Sequence, residues 1–248
     1  MHTPELSSFK ALLFDLDGVV TRTATIHAAA WKQLFDDFLD RRARDQGSSY
    51  EPFEIATDYV RYVDGRQRYD GVDGFLRARG IELPWGDPSD PPGTNTVCAL
   101  GNAKNRHSHE QLERHGVEVF DDTVALIQKA RARGARIAIV SASENCRAIL
   151  KRAGLIELFD AAVTGIEAAK LSLAGKPAPD TFLKAAELLE VPPRDAVVFE
   201  DAIAGVQAGR AGGFGLVVGV DRGGAGAALL AAGAHVVHAD LRQLLTTG

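Results

Sequence analysis

The chain has 248 residues, 46% of them apolar and 25% charged, and a net charge of -5 at neutral pH. This composition is ordinary for a globular protein and excludes disordered and collagen-like classes. The acidic balance gives no global attraction to nucleic acid or anionic lipid, and no apolar run reaches transmembrane length, so neither nucleic-acid nor membrane partners are expected.

Residues 1–6 lack the basic and apolar regions of a signal peptide, which points to the cytoplasm. Cys98 and Cys146 form no Cys-x-x-Cys pair and read as buried thiols of a reducing compartment. The first element is an apolar run over 10–16 that leads into Asp15-Leu16-Asp17-Gly18. A buried strand ending in two carboxylates one residue apart delivers an acidic pair to the end of a sheet, where open α/β sheets bind ligands. Asp-x-Asp-Gly also opens calcium loops, but those follow a helix and close on a glutamate, and residues 21–30 contain no acid.

Helical spacing follows at Ile26, Ala29, Ala30, Leu34, Phe35 and Phe38, and the basic cluster Arg41-Arg42-Ala43-Arg44 reads as a solvated helix end. Polar irregular stretches lie at 46–49 and, rich in proline, at 84–93. No buried strand is legible between Thr23 and Gly116, so this part reads as a helical insert. Strand signals resume at 136–142, 161–165, 195–201 and 214–220, and more weakly at 235–239. Amphipathic helical stretches at 123–133, 148–153, 180–190 and 205–211 separate them. Such alternation implies parallel pairing and right-handed crossovers. Gly223-Gly224-Ala225-Gly226 fails the dinucleotide spacing because Leu229 stands where Gly or Ala is needed, and reads as a flexible turn. Gly175-Lys176 is no P-loop, since Lys170 stands in place of its first glycine.

Three further polar groups sit at or after later strands, where a parallel sheet would bring them beside Asp15: Ser141, Lys176 and the pair Glu200-Asp201. Singly, they could be a helix cap, a solvated loop residue and a surface turn. Together and in this order, they resemble the haloacid dehalogenase superfamily of phosphotransferases, and within it the β-phosphoglucomutase group. The resemblance implies a Rossmann-like parallel-sheet core carrying an inserted α-helical cap domain, with residues 1–21 and 118–248 as core and 22–117 as cap.

The resemblance makes Asp15 the nucleophile that becomes an aspartyl phosphate, and Asp17 the general acid and base. Ser141 and Lys176 would bind the transferring phosphoryl group. A magnesium ion would be held by Asp15, the Asp17 backbone carbonyl and Asp201, with Glu200 in support. Thr23 and His27 match positions that couple the mutase cap to the acid/base aspartate. In Asp64-Gly65-Arg66-Gln67-Arg68, the residue matching Arg68 clamps the non-transferring phosphate, with Gly65 and Arg66 in the same loop. Lys104 matches a cap lysine that reaches the sugar phosphate; solvated surface charge is its alternative. Ser141, Ala142, Ser143 and Asn145 form the remaining substrate-binding loop.

The chain departs from the mutases at Ala202, commonly a serine, at Phe120-Asp121-Asp122, commonly a Pro-Gly turn, and in the longer 84–93 segment. The expected activity is interconversion of β-glucose 1-phosphate and glucose 6-phosphate, with a sugar-phosphate phosphatase as the alternative. A phosphate-binding sensor has no need of two separate carboxylates. The expected state is a monomer or weak homodimer with a small sugar phosphate as its partner.

Overall fold

Six apolar runs pair into one parallel sheet: β1 (Ala11–Phe14), β2 (Arg136–Val140), β3 (Ala161–Val163), β4 (Ala196–Glu200), β5 (Leu216–Val220) and β6 (Val236–His238), in the order β3-β2-β1-β4-β5-β6. Every residue of β1, β4 and β5 is buried, as strands covered on both faces must be. The helices are α1 (Ala24–Gln46), α2 (Arg68–Ala78), α3 (Val97–His115), α4 (Asp121–Ala132), α5 (Cys146–Arg152), α6 (Gly165–Lys170), α7 (Asp180–Leu188), α8 (Ile203–Ala211) and α9 (Gly226–Ala232), of which α6 and α9 were not expected from the sequence. The computed structural model describes residues 5–245, except for the side chains of 109–111 and 113–115. The described chain divides into two compact units, one running through Arg22 and again from Val117 onward, the other spanning Thr23–Gly116. Among the described residues no helix is long and apolar enough to cross a membrane.

In the first unit, Leu13, Val140 and Val198 of the sheet pack with Phe182 and Ala185 of α7 and Val206 of α8 in one buried cluster. Each of the larger of these side chains contributes roughly 1.5–3 kcal/mol by leaving water. Where the chain re-enters this unit, the Phe120 N–H donates to the Val20 carbonyl at 2.9 Å, and its ring lies between two guanidiniums, Arg22 at 4.2 Å and Arg222 at 4.1 Å. Arg222 also grips both oxygens of Asp122, at 2.8 and 3.1 Å. The Phe120-Asp121-Asp122 departure thus forms a cation-and-ring stack joined to a bidentate ion pair.

The second unit is helical, with a wide π-helical segment at Ile55–Val63 whose end is closed by the Asp64 N–H on the Tyr59 carbonyl at 2.9 Å. Its core is aromatic: the Phe35 ring lies 4.2 Å from Phe75 and 5.0 Å from Phe53, with Trp31 stacked at 5.3 Å. The helical period expected for α1 is present, but its buried face runs through His27, Trp31, Leu34, Phe35, Phe38 and Leu39, while Ala29 is exposed. Ala30, Leu34, Phe35 and Phe38 are buried as expected, Ile26 is half-buried, and His27, polar by type, faces inward.

The proline-rich segment at 84–93 caps α3. The Val97 and Cys98 N–H groups donate to the carbonyls of Pro84 and Trp85 at 2.9 and 3.0 Å, and Thr96 accepts from the Ala99 N–H at 3.0 Å. The N–H groups a helix start leaves unpaired are satisfied by this loop.

Gly223 to Gly226 is likewise a helix cap. Asp221, at the end of β5, accepts the N–H groups of Gly223, Gly224 and Ala225 on Oδ1 at 3.2, 2.6 and 2.8 Å, and that of Gly226 on Oδ2 at 3.0 Å. Burial works against its charge, but these backbone donors outweigh that and hold the carboxyl below its ordinary value. Asp221→Ala should therefore cost about 1 kcal/mol in urea unfolding at neutral pH. Because the folded-state value is depressed, this advantage is present above the ordinary carboxyl value and is lost as pH falls through the lower folded one. An equal stability gap at all pH values would contradict the capping role.

Candidate active site

The sheet register decides where the acidic residues end. Phe14 of β1 pairs with Phe199 of β4, their rings stacked at 4.4 Å, so Asp15 and Glu200 follow as neighbours at the carboxyl ends of adjacent strands. The Asp15 N–H continues the ladder to the Phe199 carbonyl at 3.0 Å. The strands β1 and β4 are adjacent in the sheet but not consecutive in the chain; this is the switch point where such sheets open a crevice.

Lys176, on the loop before α7, joins the pair. Its Nζ lies 2.5 Å from Asp15 Oδ1 and 2.5 Å from Glu200 Oε1, with the Val140 carbonyl at 3.5 Å and the Phe182 ring at 4.9 Å. Its side chain is 2% exposed and that of Glu200 is 0% exposed, so these charges are held by one another rather than by water. The second oxygen of Glu200 accepts the Ala202 N–H at 2.9 Å. With both its oxygens engaged, Glu200 is the fixed counter-charge that orients Lys176.

Burial pushes the Asp15 carboxyl well up, and the nearby negative charges of Glu200 and Asp17 add to this against the pull of Lys176. For Lys176, burial disfavours the charge, yet Asp15 and Glu200 outweigh it and the amine holds its proton above the ordinary range. Asp17 and Asp201 stand nearer solvent. Gly18 between them has φ +84°, and a Cβ there would lie 1.7 Å from Asp201 Oδ2, so only glycine permits this approach. Gly205 does the same for Glu200, with a Cβ placed 1.8 Å from Oε1.

Oxygens of Asp15, Glu200 and Asp201 all lie within 4.8 Å of one another. An all-oxygen donor set of this kind, from Asp15, Glu200 and Asp201, suits a hard divalent cation. Ser141, buried just beyond β2, accepts the Ser143 N–H at 3.1 Å, and Ser143 in turn accepts that of Asn145 at 3.2 Å. The loop carrying Ser141, Ala142, Ser143 and Asn145 is thus a pair of linked hydroxyl turns leading into α5. Cys146 is fully buried, and its thiol is pushed up by burial and by the charges of Asp17 and Asp15, which leaves it protonated and inert.

The remaining sequence candidates belong to the second unit. Thr23 is the buried residue that opens α1, and one turn on, His27 is buried as well. Lys104 is 7% exposed, not solvated: its Nζ is 2.7 Å from His27 Nδ1 and 5.1 Å from the Trp31 ring. Gly65 sits at φ +71° in the turn before α2; Arg66 is half-buried there, and Arg68 is the first residue of α2. Arg68 donates to Asn102 Oδ1 at 3.0 Å. Asn102, Trp31, Phe182 and the Val140 carbonyl were absent from the sequence candidates. Asn102 lies two residues before Lys104, the one local signal that could have found it, whereas Trp31, Phe182 and Val140 are apolar by type and carry no local sign of a site.

The haloacid dehalogenase-like hydrolase family model matches residues 9–213. The chain is 48% identical over 239 residues to a β-phosphoglucomutase of Mycobacterium bovis, covering 95% of this chain and 91% of that one. It is 31% identical over 215 residues to the β-phosphoglucomutase of Bacillus subtilis, covering 86% and 84%. The crystal structure of a β-phosphoglucomutase from Clostridium difficile shares the fold, with a TM-score of 0.73 at 23% identity over 95% of this chain and 93% of that one. With its family model spanning most of the chain and a relative this similar, the protein belongs to the haloacid dehalogenase-like hydrolase family and is an enzyme.

Proposed function

We propose that this phosphotransferase is a magnesium-dependent mutase that interconverts β-glucose 1-phosphate and glucose 6-phosphate through an aspartyl phosphate and a sugar bisphosphate. The observation that carries the reading is the buried Asp15 held against Lys176 at the sheet's switch point. The 48% identical β-phosphoglucomutase supports the choice of substrate.

In the proposed reaction an Asp15 oxygen attacks phosphorus, and the bond to the sugar oxygen breaks. Asp17 gives its proton to that departing oxygen. In the reverse sense, Asp17 takes the proton from the accepting sugar hydroxyl as it attacks the aspartyl phosphate. Two carboxylates are needed because one group cannot bond to phosphorus and move a proton in the same step. Lys176 and the Ser141 hydroxyl hold the phosphoryl oxygens as charge redistributes; Glu200 keeps the lysine charged and aimed. Asp15, the Asp17 carbonyl and Asp201, with Glu200 beside them, would hold magnesium, which supplies positive charge against the carboxylates and the phosphate.

Thr23, His27, Gly65, Arg66, Arg68 and Lys104 are assigned to the substrate, with Arg68 gripping the phosphate that does not react. An arginine offers two parallel donors to such a group. A bisphosphate that must turn over without escaping needs this second grip, and simple hydrolysis does not. The expected setting is a soluble cytoplasmic monomer or weak dimer.

Phosphorus NMR of the enzyme with magnesium, β-glucose 1-phosphate and a trace of β-glucose 1,6-bisphosphate should show glucose 6-phosphate forming with little inorganic phosphate. Predominant inorganic phosphate would replace the mutase with a sugar-phosphate phosphatase. Chelation should abolish turnover, and added magnesium should restore it without change in the far-ultraviolet circular dichroism. Full activity in excess chelator would remove the metal from the account.

A further inference from the structure

The amide of Asn102, on α3, makes four hydrogen bonds. Its Oδ1 accepts from Arg68 Nη1 and from the Tyr69 hydroxyl, each at 3.0 Å, and its Nδ2 donates to the carbonyls of Pro88 at 3.0 Å and Asp90 at 2.8 Å. This uses both donors and both lone pairs of the side chain. The orientation is set by chemistry, since a flipped amide would face Arg68 and Tyr69 donors with its own NH2 group and two carbonyls with its oxygen.

The two carbonyls belong to the proline-rich segment, which is itself tied down. The Asp90 carboxylate accepts from the Asp87 N–H at 3.1 Å and the Thr96 hydroxyl at 2.7 Å, and the Gly93 N–H donates to the Ala99 carbonyl at 3.0 Å. On the other side, Gly101 makes room for Arg68 and Tyr69: a Cβ there would lie 2.8 Å from the Tyr69 ring and 3.1 Å from Arg68 Cδ. The Tyr69 ring packs edge-on against Trp85 of the same segment, centroids 6.4 Å apart.

From this arrangement we infer that Asn102 is the positioning residue for Arg68, and that the segment at 84–93 is the brace that fixes Asn102. The inference rests on the reading of Arg68 as the grip on the non-reacting phosphate, and it gives the long proline-rich segment a task in substrate selection. A guanidinium held in one plane before substrate arrives loses less freedom on gripping a phosphate than a mobile one. The effect belongs to substrates that carry a second phosphate and not to small phosphoryl donors.

The test compares Asn102→Ala, Asn102→Asp, Arg68→Ala and Asn102→Ala/Arg68→Ala with the parent enzyme, using β-glucose 1,6-bisphosphate and, separately, acetyl phosphate as phosphoryl donors. Asn102→Ala should raise KM for the bisphosphate roughly tenfold, the scale of one lost charge-assisted hydrogen bond, with a much smaller change in kcat. Reaction with acetyl phosphate should change less than about threefold, and the double variant should be no worse than Arg68→Ala alone, as coupled residues behave. Asn102→Asp keeps an acceptor for Arg68 but turns an oxygen on the Pro88 and Asp90 carbonyls, so it should recover only part of the loss. Equal losses on both donors, or losses that multiply in the double variant, would overturn the inference, and full recovery in Asn102→Asp would overturn the bracing by the loop. If Arg68→Ala itself does not distinguish the two donors, the phosphate-grip reading falls and takes this inference with it. If Arg68→Ala distinguishes them and Asn102→Ala does not, the inference alone falls.

Discussion

The site depends on one buried arrangement of charge, Lys176 between Asp15 and Glu200 at 2.5 Å from each. Removing one partner from such a group leaves an unpaired buried charge and costs about 3–5 kcal/mol, so the three residues stand or fall together. The sheet supplies the geometry cheaply: pairing Phe14 with Phe199 brings Asp15 and Glu200 side by side, and stacking those two rings fixes the register beneath them. Glu200 binds Ala202 with its other oxygen, and Gly18 and Gly205 give way where a side chain would collide with Asp201 or Glu200. Rigid backbone and paired charges preorganise the carboxylates, which is what phosphoryl transfer asks of a protein.

The second unit solves a different problem with similar means. An aromatic cluster around Phe35 provides the packing, and the polar residues at its margin are tied in pairs: Lys104 with His27, Arg68 with Asn102. A lysine 7% exposed beside a histidine and a tryptophan ring is restrained in a way that a surface lysine is not.

Much of the fold was legible because strands buried on both faces leave unbroken apolar runs, and each of the six predicted runs contains a strand of the sheet. The acidic pair after β1 and the polar groups after β2 and β4 were legible for the same reason, since residues following parallel strands converge at one edge. What failed to show in the sequence was long-range or phase-dependent. Asn102 meets Arg68 across 34 residues and Pro88 across 14, and no local pattern encodes either contact. His27 was not legible as part of the buried face of α1 because residue type alone marks it polar. Gly223 to Gly226 read as a flexible turn, yet an aspartate two residues earlier caps it, a signal visible only when the loop is read with Asp221.

In the proposed reaction Asp15 carries the phosphoryl group. The most direct test is to treat the magnesium-loaded enzyme with acetyl phosphate, trap acyl phosphates by borohydride reduction and locate the modified residue by mass spectrometry. The account predicts modification of Asp15, with none in Asp15→Asn and none after chelation. Modification at another residue, or turnover of β-glucose 1-phosphate by Asp15→Asn, would contradict it.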